Sequence, residues 1–352
     1  MAAAESPIDW RRAEQVATRI AARHPSPGGV DLAPDLSAMI PQLEDQIHAT
    51  TGLRSLAGPA VVEVIDRPAW IRANIASFRH LLTPLLEEWS AKFPRNTRVA
   101  DIGRQLVGAE LGALLGWMGG RVLGQYDLLV GRDDVDDAVY MVGPNLAAIE
   151  RRFGFDPTEF RTWVLLHELT HRAQFTGVPW MREHFTELVS TSLRLANPDP
   201  RRIAQAIREA FSDRDQARQR VRDGGVFGLL ASPEQREVIQ RIAGLMSLLE
   251  GHGDVTMTRA AGDLVPSAAR FASVLQARRR RSSPLTRLTL RLTGIEGKLN
   301  QYAAGERFIA AIEAEGGPRV VDICWTSPEN LPSLEEIRNP QQWLDRMGAL
   351  VG

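Results

Sequence analysis

Apolar residues recur at three- and four-residue spacing over residues 8–23, 36–51, 68–92 and 98–123, and breakers such as Pro25-Ser26-Pro27-Gly28-Gly29 and Pro94-Arg95-Asn96 separate these segments. That period lays one apolar stripe along each helix and predicts an N-terminal helical bundle. The pattern then changes. Tyr126 to Val130 and Ala138 to Val142 are short β-prone runs joined by the polar stretch Gly131 to Asp137, which predicts a hairpin. The four aspartates of that stretch lack the alternating ligands and closing glutamate of an EF-hand, so they read as a solvated turn. Helical spacing returns over 181–196, 200–222, 233–259, 264–279 and 294–314. The tail from Gly316 holds a predicted strand, Val320 to Trp325, and a last helix after Asn339-Pro340. The expected fold is mainly α (α+β): a helical bundle with a small antiparallel hairpin. Its expected divisions are 1–125, 126–315 and 316–352, able to pack as one continuous domain.

Between the hairpin and residue 181 lies the helix with the clearest boundaries. Asp156 is placed to cap it, Pro157 opens its first turn, Glu159 stands in capping-box position, and Gly177 and Pro179 follow its last turn. Its middle reads His167-Glu168-Leu169-Thr170-His171. Residues four apart share a helix face, so His167 and His171 can offer ring nitrogens to one tetrahedral metal. Glu168, about 100° further round, can reach a water on that metal. This is the arrangement of a zinc hydrolase, in which a zinc-bound water activated by Glu168 attacks a carbonyl or amide carbon. Glu168 then returns the proton to the leaving group.

Two imidazoles leave zinc one protein ligand short. The best segment for the third is Leu248-Leu249-Glu250-Gly251-His252-Gly253-Asp254, where an apolar helix face precedes Glu250. Glu250 is the leading candidate, with Asp254 one turn later placed to orient a ligating histidine. His252 is the alternative ligand, and Glu187 with His184 is a weaker one. Gly251 and Gly253 would let this helix approach the histidine helix closely. Tyr302 is a candidate hydrogen-bond donor to the developing oxyanion.

Composition narrows the setting. With 42 basic and 43 acidic residues the net charge is -1, so no global field draws nucleic acid. The basic run Arg278 to Arg281 ends a predicted helix and lacks interleaved aromatics, so helix-dipole placement and solvation explain it. Val107 to Val130 approaches the length of a membrane span, but it carries Glu110, Arg121, Gln125 and Asp127 and reads as a buried, closely packed helix. The N-terminus shows no basic segment followed by an apolar one, and a single cysteine, Cys324, cannot form an internal disulfide. Cytoplasmic residence is the expectation.

The HExxH residues, Gln174-Phe175, Gly177-Val178-Pro179-Trp180 and Glu250-Gly251-His252 resemble a bacterial family of zincin-like metallopeptidases associated with deazaflavin-coenzyme biosynthesis. Leu123 to Asp127, Gln301-Tyr302, Gly305 to Phe308 and Trp325 to Glu329 are similar to that family as well, so the resemblance covers most of the chain. It implies a mainly helical zincin-like domain, hydrolase activity and zinc held by the HExxH histidines. The implied substrate is a peptide or a small-molecule amide or carbonyl compound. Two other classes stay open: a scaffold or partner-binding protein whose zinc ties helices together, and a helical interaction protein without metal. Oligomeric state is not legible.

Overall fold

The computed structural model describes residues 6–24, 36–92, 98–128, 137–195, 232–280 and 295–351; the side chains at 84–85, 87–100, 278–280, 295–303 and 349–351 lie outside that description. In chain order the elements are α1 (Trp10–Ala21), α2 (Ile40–Thr51), β1 (Val61–Ile65), α3 (Arg67–Lys92), α4 (Arg98–Gly119), β2 (Gly124–Tyr126), β3 (Ala138–Val142) and α5 (Gly143–Phe153). They continue as α6 (Pro157–Gly177), α7 (Met181–Arg194), α8 (Pro233–Ala261), α9 (Ala268–Arg280), α10 (Ile295–Gly316), α11 (Leu334–Arg338) and α12 (Pro340–Val351). The fold is mainly α with one three-stranded sheet of order β1-β3-β2, β1 parallel and β2 antiparallel to β3. No described helix is long and apolar enough to cross a membrane.

The sheet corrects the sequence reading in two ways. The predicted antiparallel pair forms, but β2 starts at Gly124 and ends at Tyr126, and the Asp127 amide still bonds to the Ala138 carbonyl at 2.9 Å. A third strand, β1, pairs in parallel with β3 from Val61 opposite Ala138 to Ile65 opposite Val142. Its β-branched run drew no prediction, and its partner lies more than seventy residues on, beyond any local pattern. Val320 to Trp325, predicted as a strand, is a 3-10 helix. Its buried residues are Val321, Cys324 and Trp325, a helical and not an alternating spacing. Local bonds close it, from the Val320 amide to Gly317 and from the Asp322 amide to Arg319. Cys324 is buried and free, and burial pushes its thiol far up from the ordinary range, which makes it a packing residue. Helix α4 stops at Gly119, short of the expected residue 123, as the Arg121 and Val122 amides fold back on the Met118 carbonyl. The predicted helix 200–222 and the aspartate turn 131–136 lie outside the described residues.

Residues 1–45, 57–172 and 263–266 form one compact unit. In it α1 and α4 meet along small residues: a Cβ on Gly108, Gly112 or Gly116 would collide with the carbonyls of Asp9, Ala13 and Ala17 respectively. The matching residues Ala13, Ala17 and Ala21 are fully buried. Trp70, Ile71, Leu115 and Val142 pack beside this seam. The Asn145 amide donates to the Gly119 and Val122 carbonyls and accepts from the Arg67 guanidinium at 2.7 Å, which satisfies the end of α4.

Residues 46–56, 173–262 and 267–352 form the second unit. Here α8, capped by the Ser232 hydroxyl on the Gln235 amide, packs on α10. The glycine beside Glu250 serves this packing: a Cβ on Gly251 would strike the Gly305 backbone, and one on Gly305 would strike the Ser247 carbonyl. Helix α11 opens with a capping box, in which Ser333 and Glu336 bond each other's backbone amides. Glu336 also accepts from Arg346, and the Trp343 indole donates to the Asn330 carbonyl.

Candidate metal centre

Helix α6 begins where the sequence predicts, with the Glu159 amide donating to Asp156 Oδ1 at 2.9 Å. Phe160, Trp163, Val164, Leu165, Leu166, Leu169, Ala173 and Phe175 are all buried. A helix apolar on nearly every side belongs inside the fold. Several of its polar side chains bond within the fold. Thr170 bonds back to the Leu166 carbonyl, and Arg161 forms a buried two-pronged pair with Glu150 at 2.7 and 2.9 Å. Arg172, 1% exposed, donates to Asp137 and Glu44 at 2.6 Å each and to the Gly58 carbonyl.

Within this anchored helix the Nε2 atoms of His167 and His171 lie 3.0 Å apart, with the two rings nearly perpendicular. Two nitrogens bound to one tetrahedral zinc stand about 3.4 Å apart, so the pair is close to that geometry. The two histidines thus offer a metal ion two ligands from one helix face. Paired imidazoles are donors that zinc takes in catalytic sites. The residues present fit the ion.

Glu168 is 7% exposed, and its Oε2 accepts a hydrogen bond from the Tyr126 amide on β2 at 3.0 Å. Gly124 makes room for it, since a Cβ there would lie 2.7 Å from Glu168 Cγ and 2.8 Å from Oε1.

His252 lies in the second unit, in a bonded cluster with Gln174. Gln174 Nε2 lies 3.1 Å from the Leu249 carbonyl and 2.9 Å from His252 Nδ1. A carbonyl can only accept, so the amide nitrogen occupies that end of Gln174 and donates to Nδ1, which leaves the ring proton on Nε2. The ring also packs edge-on against Trp325 at 5.0 Å. Asp254 is buried one turn beyond Glu250. The His184 ring meets Trp180. Burial and then the Arg241 charge lower the His184 pKa, with Glu187 and Glu329 opposing. The Tyr302 side chain lies outside the described residues.

The roles of four residues escaped the sequence reading: Tyr126 and Gly124, which hold Glu168, Gln174, which sets the His252 ring, and Arg172, which anchors α6. Gln174 and Arg172 carried a signal, as polar residues on a helix too apolar to be exposed. The Tyr126 amide carried none, because a backbone group has no letter of its own.

A family model described as zincin-like metallopeptidase matches residues 8–344. A solved protein from Chloroflexus aurantiacus, described as a candidate hydrolase with a novel fold, is similar at 32% identity with a TM-score of 0.70. The match covers 97% of this chain and 99% of that one. No curated protein matches.

Proposed function

Because the chain belongs to the zincin-like metallopeptidase family, we propose that it is a zinc-dependent hydrolase of peptide or small-molecule amide bonds. The observation that carries this reading is the His167–His171 pair, its Nε2 atoms 3.0 Å apart, with the Glu168 carboxylate next in sequence to one of the two histidines. His167 and His171 would hold zinc through Nε2 and Glu250 through its carboxylate. When bound, zinc supplies Lewis acidity toward a carbonyl and toward water.

The chain's own residues supply the rest. Glu168 takes the proton of the attacking water and returns it to the departing nitrogen. Burial of the helix around it limits bulk water, which strengthens each charge interaction. Asp254 orients a ligating histidine. Tyr302 donates a hydrogen bond to the oxyanion. The link to deazaflavin-coenzyme biosynthesis rests on sequence resemblance and forms no part of the proposal.

The test combines metal analysis of protein purified without added zinc with turnover of a panel of fluorogenic peptides and aryl amides, Glu168→Gln serving as control. Stoichiometric zinc and turnover lost in the variant are expected. Protein without metal, or activity indifferent to Glu168, overturns the reading.

A further inference from the structure

Strand β2 is an edge: the sheet order places no described strand beyond it. Its bonds to β3 run from the Asp127 amide to Ala138 and from the Val142 amide to Leu123, so the odd-numbered residues face the partner strand. In an antiparallel ladder the even-numbered residues, Gly124 and Tyr126, then turn their backbone groups away from β3. An outward amide in a buried place needs an acceptor. For Tyr126 that acceptor is Glu168 Oε2, at 3.0 Å.

The same carboxylate occupies the volume that a side chain at position 124 would fill, 2.7 Å from Cγ, 2.8 Å from Oε1 and 3.0 Å from Cδ. Real Cβ atoms do not approach so closely, so any larger residue at 124 displaces the end of Glu168 and not the backbone. One strand therefore fixes this side chain twice, by the hydrogen bond it gives and by the atom it lacks.

We propose that Gly124 and Tyr126 are the positioning residues of Glu168, and that Oε1 is the oxygen that takes the proton. The inference rests on Glu168 acting as base and adds which atom acts and what aims it. With Oε2 held by the Tyr126 N–H, an O–H bond of water breaks toward Oε1 while the water oxygen bonds to the carbonyl carbon. The proton then passes from Oε1 to the nitrogen as the C–N bond breaks. A base moved by about 1 Å loses on the order of a hundredfold in rate, which makes this aim matter.

The chain has three tyrosines, so protein labelled with 15N-tyrosine gives three amide resonances, and Tyr126 is identified by substitution. A bond to a carboxylate shifts an amide proton downfield. In the full-length zinc-loaded protein, Gly124→Ala should move the Tyr126 resonance upfield, toward its position in Glu168→Ala, with zinc content retained. For any amide turned over, kcat should fall about ten- to a hundredfold with KM little changed. A Tyr126 resonance that stays in place in Gly124→Ala overturns the proposal, whether or not a substrate has been found. If Gly124→Ala lowers Tm, the same change made in Glu168→Ala should cost little, because the clashing atoms are gone. Equal losses in both backgrounds overturn it. Activity retained by Glu168→Gln would instead refute Glu168 as base, a separate failure.

Discussion

Nε2 of His167 stands 3.0 Å from Nε2 of His171, one helical turn away, so the two rings aim at a single point. At that distance one nitrogen can donate to the other, and a shared cation would take the place of that hydrogen bond. His167→Ala and His171→Ala should therefore each abolish stoichiometric zinc while the circular dichroism stays helical. Full zinc occupancy in both, by atomic emission, would sink the pairing.

Glu168→Gln keeps the shape of the side chain and can still accept from the Tyr126 amide, but it cannot take a proton. Zinc content should be unchanged and kcat should fall about 10²- to 10⁴-fold. Near-normal turnover by this variant would assign the base elsewhere.

Glu250→Ala and His252→Ala should behave differently. Loss of a residue that supports a ligand weakens metal binding about 10- to 100-fold, so loss of a ligand should exceed that range. Competition with a chelating dye should show the larger loss for Glu250→Ala. Equal or greater loss for His252→Ala would transfer the ligand role to the imidazole.

The Gly251–Gly305 crossing of α8 and α10 leaves no space for a methyl group. Gly251→Ala or Gly305→Ala should cost about 1–3 kcal/mol by overpacking, seen as a Tm lower by several degrees. An unchanged Tm would show that the helices can separate freely.

Burial would raise the Glu336 carboxyl, but bonds from Arg346 and from the Ser333 amide outweigh it and hold the group below the ordinary 4.5. Its folded pKa is depressed, so its stabilisation is present above the unfolded value and lost as pH falls through the folded one. Below about pH 4.5, Glu336→Gln should lose less Tm per pH unit than the parent. Parallel acid profiles would remove Glu336 from the account of acid stability.

Much of this fold was legible because its signals are local. The cap at Asp156, the turn-by-turn apolar spacing of α6 and the His167/His171 pair all lie within twenty-odd residues. The misses have two different causes. β1 pairs with a strand more than seventy residues away, and Val320 to Trp325 is wound by neighbouring carbonyls although its composition suits a strand. Gly251 was read as a point of close approach, and the backbone that arrives there is that of Gly305, which a glycine cannot name in advance. Tyr126 was invisible as a partner of Glu168 because its main chain makes the bond.

The glycine-alanine seam between α1 and α4 has a thermal consequence. Glycine and alanine have no side-chain rotamers to freeze, so the seam orders only backbone as it forms. It also hides little apolar area, and its cohesion comes mainly from dispersion between closely apposed atoms. Hydrophobic burial weakens on cooling, whereas dispersion has no such dependence. The α1–α4 pair should hold its strength toward low temperature better than the neighbouring core of Trp70, Ile71 and Leu115.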